Sequence, residues 1–304
     1  MAISLQNIVS GQRLKPPKIA LYGVGGIGKT KFASEAPNPI FLFTEEGQGR
    51  MDVARFELRD EDPILRSWEE ILECLSWLYS NPHDRMTVVI DTLDFAEPLL
   101  WDYTCRKHKK EDIEAFGYGK GYVHACDEAR VLLQWLDALR TDKKMAVILL
   151  AHADTKKFDA PDHEPYDRYK LRLQDKFANL IHDWSDALLF AKWEEHIVRD
   201  KDSFDKNKST ARGVGQGKRL VFTEERPAWW AKNRYNLPFQ MNLSWPELQD
   251  AIVAGMNGPI QTPEIPEPQQ TEATEQPPAE EQQPAAQPPK RPRKGAAAAA
   301  KETT

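Results

Sequence analysis

The stretch "YGVGGIGKTKFA", residues 22–33, sets Gly23, Gly28, Lys29 and Thr30 at the spacing G-x-x-x-x-G-K-T. Each residue type suits triphosphate chemistry. Glycines lack Cβ, so the backbone N–H groups of Gly23, Val24, Gly25, Gly26, Ile27 and Gly28 can converge on phosphate oxygens. Lys29 would reach the β- and γ-phosphates, the Thr30 hydroxyl would ligate Mg²⁺, and Lys31 closes the nucleotide-contacting segment. The apolar strand "KIALYG" precedes the loop and a helical pattern over 29–36 follows it, the context that this motif demands.

A magnesium site needs a second acidic group. "TVVIDT" runs four mostly β-branched residues into Asp91, at the carboxyl end of a strand, where open α/β sheets place their ligands. Residue 92 is Thr, so a base for an attacking water must come from elsewhere. "FLFTEEG" offers Glu45 and Glu46; alternation sends the two to opposite sides, so one acts, and Glu46 is the preferred reading. "VILLAHAD" places His152 after another buried strand, able to hydrogen-bond the γ-phosphate or the water and to pass nucleotide state to the next loop.

Strands and helices alternate around these positions. "PIFLFT", "MTVVIDT", "MAVILLAH", "SDALLFAKW" and "KRLVFTE" read as strands. "SWEEILECLSWLYS" and "YVHACDEARVLLQWLDALR" read as helices, the first with Ser67 and Glu70 at capping-box spacing. "SWPELQDAIVAG" closes the folded part as a helix capped by Ser244, with Glu247 at the box position. This order predicts an α/β fold, a mostly parallel sheet with helices on both faces.

From Gly258 the composition turns to Pro, Gln, Glu and Ala, which cannot bury enough surface to fold. The expected division is an N-terminal arm over 1–17, an ATPase-like domain over 18–257, and a disordered tail over 258–304 ending in the basic cluster Lys290, Arg291, Arg293 and Lys294. Such a tail can tether a partner, a single-strand binding protein among the candidates, or serve only as a solubilising extension. A net charge of −6 excludes a surface positive all round, so any nucleic-acid contact must come from a local patch or a surface built by several copies. No apolar run is long enough for a membrane span and no secretory leader is legible, so the expected location is the cytoplasm. Cys105, His108, His124 and Cys126 match no common zinc spacing.

With these elements in order, residues 15–245 resemble the RecA/DnaB-type P-loop ATPases, most closely the phage-encoded RecA-like proteins that act as single-strand annealing proteins or recombinases. The resemblance implies a RecA-like core, Mg²⁺-dependent hydrolysis of ATP, single-stranded DNA as partner, and a ring or filament of identical subunits. "AWWAKNRYNLP" resembles the A-K-x-R segment of hexameric helicases, which implies Lys232 and Arg234 as cations reaching a neighbouring subunit's nucleotide. It also implies two DNA-contacting loops. In the first, Lys107, Lys109, Lys110 and Lys120 with Phe116, Tyr118 and Tyr122 combine phosphate-binding charge and rings for base stacking. The second holds Lys156 and Lys157. The chain departs from bacterial RecA in its histidine at 152, its doubled Glu, and the lack of a recognisable extra DNA-binding domain. Three functions compete: a single-strand annealing protein or recombinase, a hexameric helicase or translocase, and a regulatory ATPase that does not touch DNA.

Overall fold

The computed structural model of the chain describes residues 8, 15–47, 49, 51–159, 164–194, 196–201, 209–214 and 217–257. The tail expected over 258–304, and the expected arm apart from Ile8 and residues 15–17, lie outside the described residues.

The elements in chain order are β1 (Lys18–Gly23), α1 (Lys29–Ser34), β2 (Pro39–Phe43), β3 (Ala54–Arg55), α2 (Trp68–Ser80), β4 (Thr87–Asp91), α3 (Leu93–His108), α4 (Lys120–Asp142), β5 (Ala146–Phe158), β6 (Tyr166–Leu171), α5 (Asp175–Trp184), β7 (Ala187–Trp193), β8 (His196–Lys201), β9 (Ser209–Val214), β10 (Arg219–Phe222), β11 (Lys232–Asn233), β12 (Gln240–Asn242) and α6 (Trp245–Asn257). The main sheet runs β12-β10-β7-β1-β5-β4-β2-β3. Its centre, β7-β1-β5-β4-β2, is parallel throughout, and β10, β11 and β12 extend one flank antiparallel. This is the α/β architecture that the order of elements predicts, with the RecA-like core that the resemblance implies.

Alternation along the strands sorts the core into two layers. Ala20, Tyr22, Leu42, Val88, Ile90 and Leu149 face the helices α2, α3, α4 and α5. Ile19, Leu21, Phe41, Val89, Ile148 and Leu150 face α1 and α6. The central strands are buried on both faces, which is why they read as continuous Val/Ile/Leu runs.

Three local features differ from the sequence expectations. The apolar pattern ends the fifth strand at His152, but β5 continues to Phe158 and pairs with β6 as a hairpin, Ala153 opposite Leu171 through to Phe158 opposite Tyr166. The second expected DNA loop is therefore largely a β-ribbon. The capping box of α2 is half formed: Ser67 Oγ accepts the Glu70 N–H at 3.2 Å, while the Glu70 carboxylate accepts the N–H of Arg66 at 2.7 Å. Residues 93–108, given no element in the sequence reading, form α3, with Pro98 in its first turns. No helix among the described residues is long and apolar enough to cross a membrane.

Candidate nucleotide site

The loop between β1 and α1 is held by its own residue types. Ile27 is fully buried and pins its middle to the core. Gly26 and Gly28 have φ of 73° and 103°, the left-handed region that a side chain disfavours. Gly23 is required for a different reason: a Cβ there would lie 2.4 Å from the carbonyl oxygen of Ala191 on β7. A Cβ on Gly25 or Gly26 would meet nothing within 4 Å, so the outer side of the loop stays open to a ligand.

Lys29 is buried, and its Nζ donates to the carbonyls of Gly23 and Val24, both at 3.3 Å. Burial holds its ammonium below the usual lysine value, while Asp91, Asp94 and Glu45 oppose that shift. Thr30 Oγ1 donates to Asp91 Oδ2 at 2.7 Å. Asp91 is almost fully buried, and burial pushes its carboxyl up to about 6 despite the Thr30 hydrogen bond. A hydroxyl beside a carboxylate is a hard-oxygen donor pair of the kind Mg²⁺ takes together with phosphate oxygens. The open glycine side of the loop and this donor pair fit Mg·ATP. Lys31 is exposed and pairs with Glu35 at 3.1 Å.

Beside the loop, Gly26, Gly28, Lys29, Thr30, Lys31, Glu45, Glu46, Gly47, Met51, Asp91, Thr92 and His152 line a cleft of about 330 Å³. The ends of β2 and β4 are stitched together there. Thr44 Oγ1 donates to the Thr92 carbonyl at 2.7 Å, and the Thr92 N–H returns a bond to Thr44 Oγ1 at 3.0 Å. Thr92 Oγ1 then donates to Glu45 Oε1 at 2.8 Å. Glu45 is half-buried and anchored, with its Oε1 also 3.9 Å from His152 Nδ1; Glu46 is exposed.

His152 is held from the far side by Asp94, in the first turn of α3. Asp94 Oδ1 accepts the His152 backbone N–H at 2.9 Å, and Asp94 Oδ2 lies 3.0 Å from His152 Nδ1. Arg172, which follows β6, donates through Nε to Asp94 Oδ2 at 3.1 Å. Against the cost of its burial, these bonds from His152 and Arg172 keep Asp94 ionised and well below the usual carboxylate range. Neither Asp94 nor Arg172 stands in a recognisable motif, and they meet only when α3 and the β5–β6 hairpin fold against each other. A buried acid two residues after an Asp-Thr pair, at a helix start, was the one hint available.

The expected trans cations stand elsewhere. β11 pairs with the beginning of β7, Lys232 opposite Leu188, so Lys232 and Arg234 lie at the amino ends of the parallel strands, away from their own phosphate loop. Lys232 Nζ donates to the carbonyls of His182 and Asp183, at 2.7 and 2.8 Å, at the end of α5. Arg234 is exposed, with Nη1 3.5 Å from Asp186 Oδ1.

The first expected DNA segment is not a free loop: Lys107 lies in the last turn of α3, Lys120 and Tyr122 open α4, and only residues 109–119 connect the two helices. Lys107 is tied to Glu128 at 2.7 Å, Lys110 Nζ sits 5.8 Å over the Phe116 ring, and the Tyr122 hydroxyl donates to Glu114 at 2.5 Å. Tyr118 is completely exposed, and Lys109 and Lys120 are exposed beside it. Cys105 and Cys126 are buried, and the rings of His108, Phe116 and His124 cluster with centroids 4.7–5.5 Å apart. In the hairpin, Lys156 Nζ donates to the Leu173 carbonyl at 2.6 Å and to Asp175 at 2.9 Å, while Lys157 is exposed.

A parallel core carrying a glycine cradle between strand and helix, faced by Thr30 and Asp91, defines a P-loop ATPase domain of RecA-like topology. A family model described as "AAA domain" matches residues 15–235, and the chain belongs to that family. The match spans the phosphate loop, Asp91, His152 and Arg234. No curated protein matches the chain. Among solved structures, the crystal structure of the RadB recombinase is similar at 13% identity over 68% of this chain and 87% of that one, with a TM-score of 0.34.

Proposed function

We propose that the protein is a Mg²⁺-dependent ATPase that works on single-stranded DNA as an assembly of identical subunits, in the manner of phage RecA-like annealing proteins or recombinases. The observation that carries the ATPase part is the constellation of Thr30, Asp91, Glu45 and His152 around one glycine cradle, Thr30 and Asp91 2.7 Å apart.

In this reading the loop's N–H groups and Lys29 hold the phosphates, with Lys29 exchanging its bonds to the Gly23 and Val24 carbonyls for phosphate oxygens. Thr30 and Asp91 would hold magnesium, which supplies charge neutralisation on the phosphates when bound. Glu45, oriented by Thr92, takes the proton of the attacking water; its anchoring favours it over the exposed Glu46. His152, oriented by Asp94, stands where it can sense the γ-phosphate and pass that state to the β5–β6 hairpin. Lys232 and Arg234, remote from their own loop, act on the nucleotide of an adjoining copy. The exposed Lys109, Lys120, Tyr118 and Lys157 are the groups best suited to the DNA backbone and bases.

A helicase or translocase motor shares the trans cations and is distinguished by unwinding of a forked duplex. A regulatory ATPase is distinguished by turnover indifferent to DNA. The test of the core reading is ATP binding and hydrolysis by the wild-type chain and by Lys29→Ala: hydrolysis that falls about 10²-fold or more in the variant supports it, and equal rates refute it.

A further inference from the structure

The loop's surroundings include a cation that has no place in the constellation above. β10 runs antiparallel to β7, and β7 parallel to β1, so Arg219, opposite Trp193, emerges at the same end of the sheet as Gly23. Its side chain lies against the phosphate loop: a Cβ on Gly28 would stand 2.5 Å from Arg219 Nη1. Gly28 needs to be glycine for its φ of 103°, and the guanidinium end of Arg219 occupies the space beside it.

Arg219 is half-buried, and its guanidinium meets no hydrogen-bond or ion-pair partner among the described residues. The other half-buried or buried arginines among the described residues contrast with it: Arg55 pairs with Glu57, Arg85 with Asp84, Arg140 with Asp186 and Arg168 with Glu225. An unpaired, partly desolvated guanidinium against a phosphate cradle is a site for an anion.

The sheet order says which part of the nucleotide it would meet. Asp91 and His152 stand on β4 and β5, on one flank of β1. Arg219 comes from β10, two strands over on the other flank. On the site reading above, the metal and the terminal phosphate would lie on the first flank, which leaves the second for the nucleoside side. We propose that Arg219 binds, within its own chain, the phosphates that ADP and ATP have in common, a role that rests on the nucleotide-site reading above. It would be a binding residue, distinct from the trans cation Arg234.

The test is equilibrium binding of ADP and of a non-hydrolysable ATP analogue by calorimetry, for wild type, Arg219→Ala, Arg219→Gln and Arg219→Lys, each at two salt concentrations. The expected result is an affinity loss of about 10- to 100-fold for both nucleotides in the Ala and Gln variants, the scale of one charge-assisted hydrogen bond, with partial recovery in Lys. Removing the cation should also flatten the salt dependence of binding, which loss of mere bracing would not do. Wild-type binding with variants unchanged within twofold, or weakened with undiminished salt dependence, overturns the role of Arg219 alone. Failure of the wild type to bind either nucleotide overturns the site reading, and this inference with it.

Discussion

Glu45 and Glu46 differ by one position in the chain and by nearly everything in their surroundings. Glu45 is held by the Thr92 hydroxyl at 2.8 Å, next to His152 and facing the loop; Glu46 is solvated. Replacing a positioned general base removes about 10²- to 10⁴-fold of rate. Glu45→Gln should therefore lose turnover on that scale while still binding ATP, and Glu46→Gln should stay within a few-fold of wild type. Single-turnover hydrolysis after a binding measurement checks both, and the reverse ranking would reassign the base. Sequence alone ranks the two the other way, because alternation says that only one can act without saying which. The threonines that decide it, Thr44 and Thr92, directly follow β2 and β4 and meet only through the register of those strands. The placement of Gly23, Gly28, Lys29, Thr30 and Asp91 was legible because it is local to a loop or a strand end, where residue type and spacing nearly determine geometry.

Elements impose a second kind of constraint at α3, whose polar inner face ties the site to the rest of the domain. Asp94 holds His152 and Arg172, and one turn later both carboxylate oxygens of Glu97 accept the Gln174 N–H at 2.9 and 3.1 Å. Burial raises the Glu97 carboxyl to about 7, from an ordinary value of 4.5, against the lowering effect of that backbone bond. The sign follows: the folded state holds this proton more tightly than the unfolded chain. The stability it contributes is complete below pH 4.5 and is lost as pH rises towards 7. Thermal melts should thus show wild type losing stability across that window, by at most about 1.4 kcal/mol per pH unit from this group. Glu97→Gln, neutral throughout, should lose less; identical slopes would mean that Glu97 does not carry the effect. None of this was readable beforehand. The apolar runs announced the central strands, and amphipathic spacing announced α2 and α4, but α3 has weak amphipathicity and an internal proline. The β5–β6 hairpin is half-exposed and charged, and owes its form to pairing with its own partner strand.

Over the whole molecule, the separation between Arg234 and the phosphate loop has a direct functional consequence. A cation at the amino ends of the strands cannot serve the site at their carboxyl ends within one copy, so it acts between copies or not at all. Arg234→Ala should slow hydrolysis by about 10³-fold and leave nucleotide binding intact. Mixed with Lys29→Ala, it should regain activity, since each variant keeps what the other lacks; no recovery at any ratio would remove the shared site. Of the cations in the two expected DNA segments, Arg106 and Lys107 are neutralised by Glu69 and Glu128, while Lys109, Lys120 and Lys157 are exposed. The most direct single measurement is phosphate release from ATP with Mg²⁺, by wild type and Lys29→Ala, titrated with single-stranded DNA. The expected result is turnover in the wild type alone, raised several-fold as DNA is added. A wild-type rate no higher than that of Lys29→Ala at every DNA concentration would contradict it.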